Sequence, residues 1–456
     1  MRENERADYL IVGSGLSALV FGALMAKDGK TVYILEAHEY PGGFGHTFTM
    51  AKKYHFNAQL HYVWDCGEGN TVNRVLKQLG LDKNITFERY DLNGFDHMHI
   101  PGYSLEIPSA SDELAKQLSA LFPEHTSHIQ GFIQAVQKVR QGLKCLSPPM
   151  RPQLLLKQLP VALSASPLWQ HTPDVFDEYQ LPEAAQTLLA LQWPDFLLPP
   201  EQLSFYAWVI LFTGYQEGAY YPTQHFEHVI NSLVGSIEEN GGKVLTDTEV
   251  TEFLVERRTV KGVKAIDRRS HETCVFWGDR IICNIDPKKA ASMIGLHKFS
   301  PSVQRKLDYD YSPSNFMAYC AVKDLDLREY GFGPWNTFHS EDVDLNAAFK
   351  RMYEENDFSR PSFAITTPTL LTTAKRDYPE DCQILEFLTV ANYRYFDELQ
   401  KRDRKAYNRK KEEILETILN IVERDYMPNI REHLVFRITG SLTTNERFCR
   451  CPQGNS

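Results

Sequence analysis

Short apolar runs alternate with one amphipathic segment in the amino-terminal part of the chain. The run 9–12 is continuously apolar, which is typical of a parallel strand that is buried on both faces. Apolar residues then recur over 16–24 at the spacing of one helix face, and the apolar run 31–35 predicts a second buried strand. This order predicts a βαβ unit and an α/β protein.

A glycine-rich turn lies between the first predicted strand and the helix. Gly13 permits the tight turn, Gly15 lets a pyrophosphate approach the backbone, and Ala18 takes the close-packing position of the G-x-G-x-x-G/A pattern. Glu36 follows the second strand, where an acid accepts hydrogen bonds from ribose hydroxyls. The pattern predicts a dinucleotide site, which suits either NAD or FAD. The predicted binding residues in the turn are Gly13, Ser14, Gly15, Leu16, Ser17 and Ala18.

A second glycine patch follows Glu36 closely. Gly42, Gly43 and Gly45 fall within four positions, which indicates backbone conformations or close approaches that side chains would block. A patch this near the ribose acid favours a cofactor that extends beyond the pyrophosphate. A plain surface loop is the alternative on residue physics alone.

The pattern of hydrophobic and polar residues changes twice in the remainder of the chain. Helical periodicity broken by prolines dominates 108–221, and beyond residue 306 the pattern is mixed. There, strand-like runs occur at 363–366 and 384–390, and a charged helix is predicted over about 407–423.

Composition and charge limit the classes of function. The 456 residues are 43% hydrophobic and 24% charged, which is typical of a folded globular protein. The net charge of −10 disfavours nucleic acid as a partner. Eight scattered cysteines without a C-x-x-C pair indicate reduced thiols and a cytoplasmic location. No apolar run approaches the roughly 20 residues of a membrane span, so membrane contact is expected to be peripheral at most. The leucine-rich stretch 154–169 is the candidate for such contact, and a packed helix is the favoured alternative for it.

Four motifs resemble those of the phytoene desaturase, carotenoid isomerase and retinol saturase group of FAD-dependent flavoproteins. They are D-Y-L-I-V-G-S-G-L-S-A-L from residue 8, Y-I-L-E-A-H from residue 33, P-G-G-F-G-H-T-F from residue 41, and L-H-Y-V at 60–63. Looser similarity continues through R-I-I-C-N-I-D-P at 280–287 to L-T-T-N-E-R-F at 442–448. The resemblance covers almost the whole chain.

This resemblance implies an FAD-dependent oxidoreductase that saturates, desaturates or isomerises carbon–carbon double bonds of a polyene or isoprenoid lipid. The implied partner is a hydrophobic small molecule, and NAD(P)H is considered as an external reductant. The implied fold is a Rossmann-type α/β FAD-binding domain, built from segments 1–107 and 222–300, with an inserted α+β substrate domain. Residues 108–221 are expected to form a helical insert that covers the flavin, and 301–456 the substrate domain and the start of the return to the FAD domain.

The resemblance also implies site residues outside the first turn. The further cofactor-binding residues are Glu36, Ala37, Gly42, Gly43, His46, Thr47, Val250 and Asn284. His46, His61 and Tyr62 are the catalytic candidates, because their section should face the flavin and a histidine can transfer a proton near neutral pH. Structural hydrogen bonding is the alternative for each of the three. No metal site is predicted.

The aromatic-rich segment 193–221 offers a lining for an apolar substrate tunnel. Trp208 and Phe212 are the residues expected to line it, and ordinary core packing is the alternative.

Two other functions stay open at this stage. A flavin-dependent amine or alcohol oxidase is disfavoured because Phe44 stands where amine-oxidase relatives carry an arginine. A non-catalytic lipid-binding relative is the other alternative, since the family carries a glycine-rich flavin segment beyond the P-x-G element at 452–454, and this sequence ends at Ser456. We therefore expect either a fragment or an incomplete FAD site.

Overall fold

Two β-sheets, one of six strands and one of seven, organise residues 5–146, 170–373 and 381–455, which the computed structural model describes. In spatial order, the six-stranded sheet contains Lys243–Leu245, Val32–Leu35, Glu5–Val12, Thr273–Cys283, Thr259–Asp267 and Thr248–Glu256. The first four strands are parallel and the last two are antiparallel. Because parallel strands end at one edge, Gly13, Glu36 and Asn284 meet there. The predicted α/β fold of Rossmann type is confirmed.

Both faces of this sheet are buried, as its continuous apolar runs predict. Ile11 packs into a cluster with the helices Leu16–Lys27 and His225–Glu239, whereas its neighbours Leu10 and Val12 pack on the opposite face. Alternate residues of a strand point to opposite faces, so one apolar run supplies both layers. This double burial fixes the strand ends that carry the site.

The seven-stranded sheet forms the second layer of the fold. In spatial order, its strands are Leu434–Gly440, Ser314–Lys323, Cys382–Ala391, Phe363–Thr366, Asn336–His339, Asp96–Ile100 and Tyr103–Ile107. The runs predicted at 363–366 and 384–390 are therefore strands. The boundary expected at residue 107 differs from the structure, because the hairpin 96–107 pairs with Asn336–His339 and belongs to the second sheet.

The described residues also contain two small sheets and fifteen α-helices. The small sheets contain Thr47–Met50 with Tyr54–Asn57, and Val63–Trp64 with Ala219–Pro222 and Phe87–Arg89. The helices are Leu16–Lys27, Thr71–Leu79, Ser111–Leu121, Thr126–Leu146, Thr172–Glu178, Glu183–Ala190, Phe205–Glu217, His225–Glu239, Pro287–Ile294, Pro301–Lys306, Leu345–Tyr353, Tyr393–Arg402, Arg404–Asp425, Ile430–His433 and Leu442–Cys449. The charged helix predicted over 407–423 is Arg404–Asp425. Within the described ranges, every helix is too short or too polar to cross a membrane, and the stretch 154–169 lies outside them.

Trp208 and Phe212 belong to the core and do not form a tunnel wall. Each is 1% exposed. The Trp208 ring stacks on Phe212 with centroids 4.6 Å apart and meets Phe176 edge-on at 5.7 Å. Its indole N–H donates to the Leu189 carbonyl at 3.1 Å. Core packing, which was the alternative to a substrate tunnel, therefore explains the aromatic side chains Trp208 and Phe212 of the helix Phe205–Glu217.

Replacing Trp208 by alanine tests this assignment. We expect Trp208→Ala to lower the free energy of unfolding by about 3–5 kcal/mol, because a buried indole leaves a cavity. Tyr206→Ala on the same helix is the control, since Tyr206 is 38% exposed and should cost less than about 1 kcal/mol. Urea denaturation measures both, and equal losses in the two variants would contradict the core assignment.

Candidate functional site

A cleft of about 590 Å³ opens at the carboxyl edge of the parallel strands. Most of the predicted cofactor-binding residues line it: Gly13, Ser14, Gly15, Leu16, Ser17, Glu36, Ala37, Gly42, Gly43, His46, Val250 and Asn284. Ala18 and Thr47 do not. Ala18 is buried in the helix beneath the turn, and Thr47 is buried in the strand that leaves the second glycine patch.

Asn284 closes the first glycine turn from the neighbouring strand. A Cβ atom on Gly13 would lie 2.5 Å from the Asn284 carbonyl oxygen, and one on Gly15 would lie 2.6 Å from Asn284 Oδ1. Gly13 also has a φ of +92°. The Asn284 amide donates to Ser17 Oγ at 3.0 Å, which ties the returning strand to the start of the helix. The positive φ and the backbone contact thus require glycine at position 13, whereas a Cβ atom at position 15 would meet the end of the Asn284 side chain, which can move.

The second glycine patch packs directly on the first. The Gly42 N–H donates to the Ser14 carbonyl at 3.0 Å, and Gly42 has a φ of +116°. A Cβ atom on Gly43 would lie 3.2 Å from Gly15 Cα. The patch is therefore part of the cleft wall and not a plain surface loop.

Hydrogen bonds orient the Glu36 carboxylate at the cleft. Oε2 accepts from the Ser14 backbone N–H at 2.9 Å and from Ser14 Oγ at 2.6 Å, and Oε1 accepts from the His38 N–H at 2.8 Å. A carboxylate oxygen has two acceptor sites, so Oε1 keeps capacity for a ribose hydroxyl. Glu36 thus also stabilises the first glycine turn through its hydrogen bonds with Ser14.

His46 stands where the cleft meets a second, smaller cavity of about 290 Å³. Its Nδ1 lies 2.6 Å from the Gly43 carbonyl oxygen, and because a carbonyl can only accept, Nδ1 carries the hydrogen. Burial lowers the pKa of His46, so the ring is neutral at pH 7 and its Nε2 is an acceptor. The smaller cavity continues past His46 between apolar side chains that include Phe48, Met50, Ala58, Tyr319, Ile438 and Phe448.

His61 does not line the cleft, although its neighbour Leu60 does. Its Nδ1 lies 3.2 Å from Oε2 of Glu386, a fully buried acid on the strand Cys382–Ala391. The same carboxylate accepts the Asn57 N–H at 3.1 Å. His61 Nε2 is buried and has no hydrogen-bond partner among the described residues. The pair forms a buried carboxylate–imidazole dyad next in the chain to Leu60 of the cleft wall.

Tyr62 is likewise away from the cleft and has a structural setting. Its hydroxyl donates to Asp195 Oδ2 at 2.8 Å, and its ring stacks on Tyr215 with centroids 3.7 Å apart. Burial raises the pKa of Tyr62 and raises that of Asp195 to about 6. Structural hydrogen bonding, the alternative to catalysis, describes Tyr62 best.

The cleft also contains residues that the sequence analysis did not single out. Examples come from three distant segments: Thr248 and Glu249, Tyr309 and Tyr311, and Phe448 to Cys451. The last group lies at the end of the L-T-T-N-E-R-F motif, which was the available signal. Tyr309 and Tyr311 follow a short helix in a polar stretch, and neither spacing nor pattern indicates them.

The glycine approaches, the oriented acid and the strand edge suit a flavin or nucleotide cofactor. Together with the sequence relatives that follow, they assign the chain to the cofactor-dependent oxidoreductases. Residues 11–79 match the family described as NAD(P)-binding Rossmann-like domain. The sequence is 23% identical to all-trans-retinol 13,14-reductase of Danio rerio over 99% of this chain and 77% of that protein. It is 21% identical to chloroplastic prolycopene isomerase of Arabidopsis thaliana over 98% of this chain and 74% of that protein.

Solved structures with the same fold include amine oxidases. Cyclohexylamine oxidase from Brevibacterium oxydans matches with a TM-score of 0.60 and 14% identity, over 98% of this chain and 86% of that chain. At this identity the match shows the fold alone. The sequence relatives confirm the resemblance to the phytoene desaturase, carotenoid isomerase and retinol saturase group, and they confirm that it covers nearly the full length of the chain.

Gly15→Ala tests the assignment of the first turn to a phosphate. We expect at least a tenfold loss of affinity for ADP by calorimetry, because the new methyl group stands between the turn and the phosphate. Gly235→Ala, in the helix His225–Glu239, is the control, since a Cβ atom there meets nothing within 4 Å.

The double variant Gly15→Ala/Asn284→Ala separates two causes of that loss. If the methyl group blocks the phosphate, affinity in the double variant stays below that of Asn284→Ala alone, which accounts for any contact that Asn284 makes with the ligand. Recovery of wild-type affinity in the double variant would show that the clash with Asn284 is the cause, and it would contradict the phosphate assignment.

Proposed function

We propose that the protein is an FAD-dependent oxidoreductase that acts on carbon–carbon double bonds of a polyene or isoprenoid lipid. One observation carries the proposal: the glycine-walled cleft continues past His46 into an apolar cavity. A dinucleotide site and a site for a hydrophobic molecule therefore adjoin. The relatives named retinol reductase and prolycopene isomerase support the substrate class.

The residues of the cleft fit the two ends of FAD differently. The turn Gly13 to Ser17 and the carboxylate of Glu36 would hold the diphosphate and the adenosine ribose. The second glycine patch and Leu60 would hold the part that extends beyond the diphosphate. FAD, when bound, supplies hydride transfer to or from carbon.

The apolar cavity would bind the substrate chiefly by removing hydrocarbon surface from water, at about 25 cal/mol per Å². Tyr319 donates its hydroxyl hydrogen to the Ala58 carbonyl at 2.9 Å, so it presents its ring to the cavity with the polar atom already satisfied. Neutral His46 at the junction adds an acceptor without adding charge. Such a chiefly apolar lining, which also includes the exposed Glu39, favours a polyene over a phosphate group.

The dyad of His61 and Glu386, next in the chain to Leu60 of the cleft wall, is the group proposed to hold a proton for the reaction. The carboxylate fixes the hydrogen on Nδ1, which leaves the lone pair of Nε2 free to accept a proton. Glu386 then acts as a positioning residue, because it works through the imidazole.

A substrate panel tests the proposed function directly. The FAD-loaded protein is incubated with retinoid, carotenoid and polyunsaturated lipid substrates, with and without NAD(P)H, and in parallel with polyamines and cyclic amines. We expect products with a changed double-bond number or geometry from the polyenes, detected by their absorption spectra after chromatography. Turnover of amines alone would overturn the proposal, and FAD binding without turnover of any substrate would favour the non-catalytic alternative.

Glu386→Gln tests the dyad. The amide keeps an oxygen for the Asn57 N–H but can present an NH₂ group to His61, so the tautomer is no longer fixed. We expect polyene turnover to fall by about 10²-fold, with FAD affinity unchanged and with an altered pH profile. Glu252→Gln is the control, because Glu252 is an exposed residue of the strand Thr248–Glu256. Unchanged turnover and an unchanged pH profile in Glu386→Gln would refute the positioning role.

A further inference from the structure

A second cluster of titratable side chains lies on the seven-stranded sheet, outside the cofactor cleft. It borders a cavity of about 490 Å³ whose lining includes His99, His339, Glu341, Asp425 and Tyr426. The strands Asn336–His339 and Asp96–Ile100 are parallel neighbours, and their register places His339 opposite His99. Residues opposite each other in adjacent strands project from the same face, so the sheet holds both imidazoles at this cavity.

Three of these side chains converge. One ligand atom each from His339, Glu341 and Asp425 lies within 4.8 Å of the other two. Metal–ligand bonds to imidazole nitrogen and carboxylate oxygen are about 2.0–2.2 Å long, so a single ion can reach all three after small side-chain adjustments. The side chain of His339 is 8% exposed, whereas those of the two acids are partly open to the cavity. The cluster thus has a fixed inner ligand and an open outer side.

The Tyr426 hydroxyl orients the imidazole of His339. Nδ1 of His339 lies 2.8 Å from the Tyr426 hydroxyl, and Nε2 points toward Glu341 Oε1 at 3.4 Å. A hydrogen bond on one ring nitrogen is the usual device that leaves the other nitrogen for a metal. Tyr426 also borders the cavity, so it is a positioning residue for His339.

Charge at the cluster favours a cation. Among the described residues, Arg424 is the basic side chain that pairs with both Glu341 and Asp425. Its Nη2 lies 2.6 Å from Glu341 Oε1 and its Nε lies 2.6 Å from Asp425 Oδ1. The two acids and the one guanidinium leave one net negative charge beside the imidazoles. Arg424 has a 56% exposed side chain, so moving it into solvent costs little. It acts as a competitor that a divalent ion can displace.

We propose that His339, Glu341 and Asp425 form a binding site for a divalent transition metal, with Tyr426 positioning the imidazole. One imidazole with two carboxylates matches the preferences of Zn²⁺, Co²⁺ and Mn²⁺, whereas Mg²⁺ and Ca²⁺ prefer oxygen ligands alone. The site is separate from the cofactor cleft, and its occupancy does not depend on FAD.

Titration of the purified full chain with Co²⁺ tests the proposal, because the visible absorption of Co²⁺ reports its ligands. We expect one saturable Co²⁺ per chain and displacement by Zn²⁺ but not by Mg²⁺. Asp425→Asn and Glu341→Gln should each weaken Co²⁺ binding by at least tenfold. Glu423→Gln is the matched control, since it removes the same charge from the same helix as Asp425 but pairs with Arg431. Arg424→Ala should strengthen binding, because it removes the competing cation.

Two results would overturn the proposal. One is the absence of saturable Co²⁺ binding in the wild type, which would leave the cluster as an ion-pair network. The other is equal binding in Asp425→Asn, Glu341→Gln and Glu423→Gln, which would place the metal elsewhere. If Asp425→Asn or Glu341→Gln fails to fold, Arg424→Ala tests the proposal instead. Unchanged or weaker Co²⁺ affinity in Arg424→Ala would show that Arg424 does not compete with the metal, and it would contradict the proposed site.

Discussion

The contact between two glycine loops, Gly43 against Gly15, is the constraint on which the cofactor cleft depends. A single Cβ atom on Gly43 would lie 3.2 Å from Gly15 Cα. On the other side of the first turn, Asn284 fills the space that a side chain on Gly13 or Gly15 would need. The three strand ends are therefore locked around a backbone-lined groove, and the Glu36 carboxylate is held by Ser14 in the same unit.

The contact between the two glycine loops also fixes where the seven-stranded sheet can meet the cleft. The segment that leaves the second glycine patch becomes the strands Thr47–Met50 and Tyr54–Asn57, and Asn57 binds Glu386 of the seven-stranded sheet. The helix Leu442–Cys449 approaches from that sheet, and Phe448 borders both the cleft and the apolar cavity. Chemistry between a cofactor and a hydrophobic molecule thus requires the two sheets to be held together at His46, where the two cavities join.

Much of the cofactor cleft could be predicted from the sequence because its geometry is local. Gly13, Gly15 and Glu36 lie within one βαβ unit, where strand ends and turn are dictated by apolar runs and glycine spacing. Phe448 and Asn284 were reachable through the resemblance alone, since they come from distant segments. Tyr309 and Tyr311 carry no pattern that distinguishes them from surface residues.

The remaining side chains could not be placed from the sequence, because their surroundings depend on contacts between distant segments. Aromatic density predicted a tunnel at Trp208, but density cannot tell which side of a helix meets a cavity and which meets the core. Adjacency in sequence predicted that His61 and Tyr62 face the cofactor together with His46, whereas neither lines the cleft although Leu60 does. The cluster of His339, Glu341 and Asp425 arises from strand register and from a helix end far along the chain, which no spacing rule captures.

Competition for FAD binding tests the central claim most directly, namely that the glycine loops and Glu36 hold the adenosine diphosphate end of a flavin dinucleotide. FAD is titrated into the protein by flavin fluorescence, and ADP and FMN are then added as competitors. The account predicts saturable FAD binding, displacement by ADP but not by FMN, and affinity for ADP lowered by about 1.5–3 kcal/mol in Glu36→Ala. Displacement by FMN alone, or equal ADP affinity in wild type and Glu36→Ala, would contradict it.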